Sequence, residues 1–230
     1  MTALSGKIGL LADSHGNLPA TMAAIKCLQA NGADRLYHLG DLFDSVLDND
    51  FVTILDKLCH HHVITIKGNN DHQVEQALIK ETSTGLSREN RDFVVQYLKN
   101  MPMTQKIHPI CLAHSLPYDH IRAFYEPMDD GTTTRAEQVF RDTDYFLTCC
   151  GHSHQPVLFR WQSGNVIRET LAEKYLIPFS AAERYILVVG AVDNGECGLL
   201  DLDRWVYQRL RIDENENGRA HGAGNVNNGE

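Results

Sequence analysis

Short apolar runs alternate with helical patterns along the first third of the chain. The apolar runs cover residues 8–12, 35–39 and 63–66, and each has the length of a buried strand. Between them, residues 18–31 and 51–59 place apolar side chains at helical spacing, for example at Met22, Ile25 and Leu28. Asn31-Gly32 is a typical helix end. The order strand, helix, strand predicts βαβ units with parallel strands.

The remaining two thirds mix both element types. We expect a helical region over residues 73–103 with an interruption at 82–85, and a helix over 132–140. Strands are predicted at 104–107, 110–113, 145–150, 157–160, 166–169, 185–189, 198–202 and 205–210, with a hairpin turn at 201–204. The chain shows no linker, so we expect one domain over residues 1–212. The polar residues 213–230 are expected to be a disordered tail.

Polar side chains follow several of the predicted strands at the point where each ends. Asp13 and His15 follow the first, Asp41 the second and Asn69 the third, while His114 and the pair His152 and His154 follow two later ones. The carboxyl ends of parallel strands meet at one edge of a sheet, where ligands bind. Residues two apart in an extended segment point the same way, so Asp13 and His15 should face one point. Carboxylate oxygens and imidazole nitrogens there suit a divalent transition metal.

Composition narrows the class of protein. The net charge is -9 and no long basic run occurs, which argues against a protein that coats nucleic acid through electrostatics alone. No window approaches the roughly 20 apolar residues of a membrane span, and no charged-then-apolar leader opens the sequence. The six cysteines lack CxxC spacing and are expected to be reduced. We therefore expect a cytoplasmic protein without a membrane partner.

The strand-end residues occur in the order D-x-H, G-D, G-N-x-D, H and G-H-x-H. This order resembles the calcineurin-like metallophosphoesterase superfamily over roughly residues 7–210. The segments His38-Leu39-Gly40-Asp41 and His114-Ser115-Leu116-Pro117 resemble its small bacterial and archaeal phosphodiesterase-type members. The resemblance implies an α/β fold, a four-layer α/β/β/α sandwich of two mixed sheets with flanking helices.

The resemblance also implies two divalent transition metal ions (Mn, Fe, Zn or Ni). Carried over by position, one ion would be bound by Asp13, His15, Asp41 and His154, and the other by Asp41, Asn69, His114 and His152. A bridging carboxylate such as Asp41 can hold two cations about 3.5–4 Å apart. The implied activity is a dinuclear phosphoesterase in which a metal-bridging hydroxide hydrolyses phosphodiester or phosphomonoester bonds of a small phosphorylated substrate.

Four further residues have implied catalytic or substrate-binding roles. His15 and Asn17, or backbone amides near Gly16 and Gly68, are candidate donors to the phosphoryl group, and Asn69 is expected to contact substrate. Many relatives have histidine where this chain has Asn70, and asparagine is not a useful general acid. Asp71 would orient a neighbouring group, and His72 could replace the missing acid. This departure favours a diester or an activated anhydride as substrate.

Two other functions are compatible with the resemblance. Some proteins of this fold are protein-binding scaffolds with an impaired site, which would predict lost ligands, whereas all seven ligating positions here keep ligating residue types. A nuclease is the other alternative, and the absence of a basic groove signature weakens it.

Overall fold

The computed structural model describes residues 5–46, 50–80, 85–171 and 175–212. Within these ranges the chain forms two six-stranded sheets. The first sheet has the order β3-β2-β1-β11-β12-β9, with β1 Lys7–Leu11, β2 Arg35–His38, β3 Val63–Thr65, β9 Leu176–Pro178, β11 Glu196–Asp201 and β12 Val206–Arg211. The second has the order β4-β5-β6-β10-β7-β8, with β4 Thr104–Ile107, β5 Ile110–Ala113, β6 Leu147–Cys150, β7 Val157–Gln162, β8 Asn165–Thr170 and β10 Arg184–Val188.

Both sheets are mixed, and each has three parallel strands that matter for function. In the first sheet, β1, β2 and β3 run parallel, as the predicted βαβ units require. In the second, β5, β6 and β10 run parallel. The other pairings are antiparallel, including the predicted hairpins β4–β5 and β11–β12. Three parallel strands per sheet therefore deliver their carboxyl ends to a common edge.

The helices cover the outer faces of the two sheets. The core under the first sheet's outer face contains side chains of α1 Leu18–Ala30, α2 Phe51–His60, α3 Asn69–Ile79 and α4 Arg88–Asn100. The core outside the second sheet contains side chains of α5 Arg122–Tyr125 and α6 Thr134–Asp142. None of the helices within the described ranges has both the length and the apolar character needed to cross a bilayer.

A third core lies between the sheets and explains the sequence pattern of the strands. Ile8 and Leu10 of β1 contact this inner core, whereas Leu11 belongs to the core under the helices. Likewise Cys149 of β6 points inward and Cys150 outward. Strands buried on both faces are apolar without alternation, as the sequence shows. The predicted four-layer α/β/β/α sandwich is confirmed.

Three local features differ from expectation. The helix predicted from residue 73 begins at Asn69, because Asp71 accepts the Gly68 N–H and caps the first turn. The single turn α5 and the three-residue strand β9 were not predicted, since neither is long enough to show a period. The expected disorder of residues 213–230 lies outside the described residues, as does most of the predicted 82–85 interruption.

Candidate metal centre

Two groups of metal-ligating side chains meet at the carboxyl ends of the parallel strands. The first group is Asp13, His15 and His154, and the second is Asp41, His114 and His152. Each group combines loops from both sheets. In the first, His15 Nε2 lies 3.0 Å from His154 Nε2, and His154 Nε2 lies 3.7 Å from Asp13 Oδ1.

The second group is more tightly clustered and includes the predicted ligand Asn69. His114 Nε2 lies 3.0 Å from His152 Nδ1 and 3.5 Å from Asp41 Oδ1. Asn69 Oδ1 lies 3.0 Å from His114 Nε2 and 2.8 Å from His152 Nδ1. The structure thus brings together all seven residues that the sequence suggested as ligands.

The spacing of these donor atoms fits a metal ion. Neighbouring ligands at right angles, each about 2.1 Å from an ion, lie about 3 Å apart. The imidazole pairs of both groups have this separation. With its oxygen toward the rings, the Asn69 amide makes three acceptor atoms converge: its own oxygen, His114 Nε2 and His152 Nδ1. Only the flipped amide, with its nitrogen toward the rings, could donate to both imidazoles. A cation shared by the three atoms relieves that convergence.

The backbone at the ligands is unusual. Asp13, His15, Asp41, His152 and His154 all have φ between 46° and 71°, in the left-handed region that residues with a side chain seldom adopt. Left-handed residues cluster at functional sites, where surrounding contacts hold them. Our premise that Asp13 and His15 share a direction because they lie in an extended strand is wrong, since β1 ends at Leu11. The left-handed turn places both side chains in the first group.

Glycines precede the ligands because the loops approach one another closely. A Cβ on Gly68 would lie 2.1 Å from Asp41 Oδ1, and one on Gly40 would lie 2.7 Å from His114 Nδ1. A Cβ on Gly151 would lie 2.6 Å from Asp13 Oδ2. Each glycine therefore lets the backbone of one motif pack against the ligand of another.

Burial keeps the imidazoles of His114 and His152 in the neutral form that binds metal. Burial lowers the pKa of His114 and of His152 to about 3, so both rings are neutral at ordinary pH. His114 Nδ1 lies 2.9 Å from the Leu39 carbonyl oxygen, and this contact orients the ring with its Nδ1–H donating. The lone pair of His114 Nε2 then faces the second group.

The carboxylates show the opposite shift. Burial raises the pKa of Asp13 well above its usual range, and the nearby Asp41 raises it further. Burial also raises the pKa of Asp41, to about 6, although the Asn70 N–H and His15 oppose the shift. Buried carboxyl groups crowded in this way gain from a compensating cation.

Asp71 has a supporting position. Its fully buried carboxylate accepts the backbone N–H groups of Asp41, Leu42 and Gly68, each at 2.9 Å. These bonds tie the loop after β2 to the start of α3. The predicted role of Asp71, orienting a neighbouring group, agrees with this geometry, and the group it holds is the Asp41 backbone.

Asn70, which precedes Asp71, contacts one residue of each ligand group. Its N–H donates to Asp41 Oδ1 at 2.9 Å, and its Nδ2 lies 3.3 Å from His15 Nδ1. Asn17 instead caps α1, accepting the Ala20 N–H and donating to Asp193 Oδ1. A phosphate contact at Asn17 stays a prediction, and the amide N–H that does not face Asp193 is the donor it would use.

The side chain of His72 makes its contacts away from the two ligand groups. Its Nδ1 lies 2.9 Å from the Tyr125 hydroxyl, and no described contact joins it to a ligand. Its role as a replacement acid stays a prediction.

Sequence reasoning missed the loop after β10. The Asp193 N–H donates to the Asp13 carbonyl, and Asn194 Nδ2 lies 3.4 Å from the His154 carbonyl oxygen. The available sequence signal was the turn Asp193-Asn194-Gly195 after a predicted strand, whereas the parallel pairing of that strand with β6 is seen only in the structure. Tyr125 was also missed, since no motif marks it.

Comparison with known proteins agrees with this geometry. The sequence profile of the calcineurin-like phosphoesterase superfamily domain matches residues 7–171. The chain is 25% identical over 155 residues to a curated phosphodiesterase from Methanocaldococcus jannaschii, which covers 64% of this chain and 86% of that protein.

Two solved structures share the fold. A metallophosphoesterase from Sphaerobacter thermophilus has a TM-score of 0.70 and 21% identity, covering 91% of this chain and 89% of that one. A hypothetical protein from Pyrococcus horikoshii OT3 has a TM-score of 0.57 and 15% identity, covering 90% and 88%. The profile match spans well over half of the sequence. The chain therefore belongs to the calcineurin-like phosphoesterase superfamily.

Proposed function

We propose that this protein is a dinuclear metal-dependent phosphoesterase that hydrolyses phosphodiesters in preference to phosphomonoesters. The observation that carries the proposal is the pair of ligand groups, each with two imidazoles and a carboxylate whose donor atoms lie within 4.8 Å of one another. Imidazole and carboxylate together suit Mn, Fe, Zn or Ni better than Mg.

The two donor sets support a proposal of two ions. Asp13, His15 and His154 would hold one, and Asn69, His114 and His152 the other. Two observations support a bridging role for Asp41. Its Oδ1 lies 3.5 Å from His114 Nε2 of the second group, and its carboxyl group interacts electrostatically with Asp13 and His15 of the first. When bound, such ions supply positive charge that acidifies water and polarises phosphoryl oxygens.

The N-terminus of α3 lies at the ligand groups and favours binding of an anion there. Asn69 and Asn70 are the first residues of the helix, and helix N-termini favour phosphate. The Asn70 amide beside His15 can donate a hydrogen bond to substrate but cannot deliver a proton. Without a proton from His72, the leaving group departs as a stable anion or is protonated by solvent. This favours esters with acidic leaving groups.

Hydrolysis of bis-p-nitrophenyl phosphate and p-nitrophenyl phosphate with Mn²⁺ tests the proposal. We expect the diester to be the better substrate and the metal content to approach two ions per chain. Asp41→Asn should lower metal content and reduce turnover at least about a hundredfold, since even residues that only support ligands cost 10–100-fold. Asp56→Asn, an exposed change on α2, is the matched control and should behave like the wild type.

Two results would overturn the proposal. One is no turnover of either ester by protein with bound metal, which would favour the protein-binding scaffold. The other is full metal content and activity in Asp41→Asn, which would exclude the bridging assignment.

A further inference from the structure

An open groove runs beside the metal centre, between α3 and α5. Its volume is about 440 Å³, and it is lined by His72, Gln73, Gln76, Ala77, Lys80 and Tyr125. We name it the α3–α5 groove. Four of the six lining residues come from one face of α3 at helical spacing, Lys80 is the C-cap residue of that helix, and Tyr125 closes the opposite side. A volume in this range accommodates a small organic group.

The groove lies beside the metal centre, and two side-chain contacts link its wall to His15. Gln73 Nε2 lies 3.4 Å from Asn70 Oδ1, and Asn70 Nδ2 lies 3.3 Å from His15 Nδ1. On the other side, the Phe124 carbonyl oxygen lies 3.3 Å from the Asn69 amide. A substituent of a phosphoryl group at the metal centre that extends past Asn70 would therefore reach this groove.

The lining groups suit a flat, polar ring. Tyr125 is 39% exposed, and the contact between its hydroxyl and His72 Nδ1 fixes its orientation. The His72 and Tyr125 rings meet edge to face at an angle of 84°. Gln73 and Gln76 each offer an amide donor and an amide acceptor along the same wall. An aromatic face beside paired donors and acceptors is how proteins bind nucleobases.

The dimensions and charge also fit one nucleotide rather than a polymer. Gln76 lies six residue positions after Asn70, a distance of about 9 Å along the helix axis. Lys80 is the groove's sole cationic side chain among the described lining residues, and the whole chain carries a net charge of -9. A nucleic acid strand needs several phosphate contacts that this surface lacks.

We propose that the α3–α5 groove is a nucleobase subsite and that the substrates are phosphoesters of single nucleosides. The base would lie against Tyr125, its edge would meet Gln73 and Gln76, and the phosphate would occupy the metal centre. This inference rests on the proposed function, because it needs a phosphoryl group at that centre.

Titration calorimetry on the Mn²⁺-loaded protein with adenosine 5′-monophosphate and ribose 5-phosphate tests the subsite without turnover. The readout is the ratio of the two dissociation constants. Stacking of one base corresponds to a ratio between about fivefold and about a hundredfold. Tyr125→Leu should bring the ratio near one, Tyr125→Phe should retain most of it, and Gln76→Leu should lower it. Tyr175→Leu, at an exposed tyrosine beside β9, is the matched control and should keep the wild-type ratio.

A wild-type ratio below about threefold would overturn the subsite, as would a large ratio that persists in both Tyr125→Leu and Gln76→Leu. Hydrolysis of methyl p-nitrophenyl phosphate, which has no base, tests the proposed function separately. Turnover of this ester with no preference for the nucleotide removes the subsite alone. Base-dependent binding without turnover of any ester removes the proposed function alone.

Discussion

Replacing Asp71 by alanine should destabilise both the fold and the second ligand group. The Asp71 carboxylate is fully buried and accepts three backbone N–H groups at 2.9 Å, those of Asp41, Leu42 and Gly68. Alanine offers no acceptor, so these donors would be left without their partner. Because the Asp41 N–H is one of them, the ligand itself loses its backbone anchor.

The cost follows from the number of donors. Each buried donor left unsatisfied costs about 1–3 kcal/mol, so we expect a loss of about 3–6 kcal/mol with partial relaxation. For a chain of this length, that lowers Tm by about 6–24 °C. Asp71→Asn should cost less, about 1–3 kcal/mol. Burial and the nearby Asp41 raise the pKa of Asp71 to about 7, so a neutral side chain is tolerated and one oxygen still accepts.

Thermal denaturation followed by circular dichroism measures these losses, with and without Mn²⁺. Asp56→Ala, an exposed change on α2, is the matched control and should lie within about 0.5 kcal/mol of the wild type. Calorimetric titration should also show weaker Mn²⁺ binding by Asp71→Ala. A Tm within 2 °C of the wild type would refute the reasoning, because it would mean that the three N–H groups find other partners at no cost.

Three further changes have expected outcomes. Gly68→Ala should weaken Mn²⁺ binding about tenfold or more, because the added Cβ meets Asp41 Oδ1 at 2.1 Å; wild-type affinity would contradict this. Lys67→Met should cost about 3–5 kcal/mol in guanidinium unfolding, since it leaves Glu75 buried without its 2.6 Å partner, and adding Glu75→Leu should restore most of the loss; a single variant as stable as the wild type would be inconsistent. Mn²⁺ binding should weaken about tenfold from pH 7 to pH 5, because burial raises the pKa of Asp41 to about 6 and the metal needs the ionised form; equal affinity at both pH values would exclude this.

The layers and the ligand motifs were predictable because their signals are local. Buried strands are apolar runs, and the residues after them along β1, β2 and β3 reach one edge by the geometry of parallel strands. Side chains that can bind a metal are few in kind, so Asp13, Asp41 and the histidines could be selected as candidate ligands by residue type and position.

The reason the ligands share a direction was not predictable from strand alternation. Asp13 and His15 lie in a left-handed turn, and so do His152 and His154. Such a conformation is imposed by contacts from other loops: the Asp13 N–H donates to the Gly40 carbonyl, and the His152 N–H donates to Asp13. No local pattern encodes a contact between residues 139 positions apart.

Contacts and residues that depend on tertiary placement were missed for the same reason. Asp71 was selected from its motif, but its partners Asp41 and Leu42, which precede it by about thirty positions, were not foreseen. Tyr125 belongs to a single helical turn whose position over Asn69 depends on the whole second sheet. The Asp193 loop becomes relevant only once β10 is known to lie beside β6.

The two ligand groups draw on both sheets, and this affects unfolding. His15 and His154 are 139 positions apart in sequence, so an ion held between them closes a loop through more than half of the chain. Closing so long a loop costs conformational entropy, and folding has already incurred that cost before the ion binds. Binding only to the folded state adds stability that grows with metal concentration. Chelation should therefore let this end of the two sheets separate first, and amides of the ligand loops should exchange with deuterium before those of the inner core.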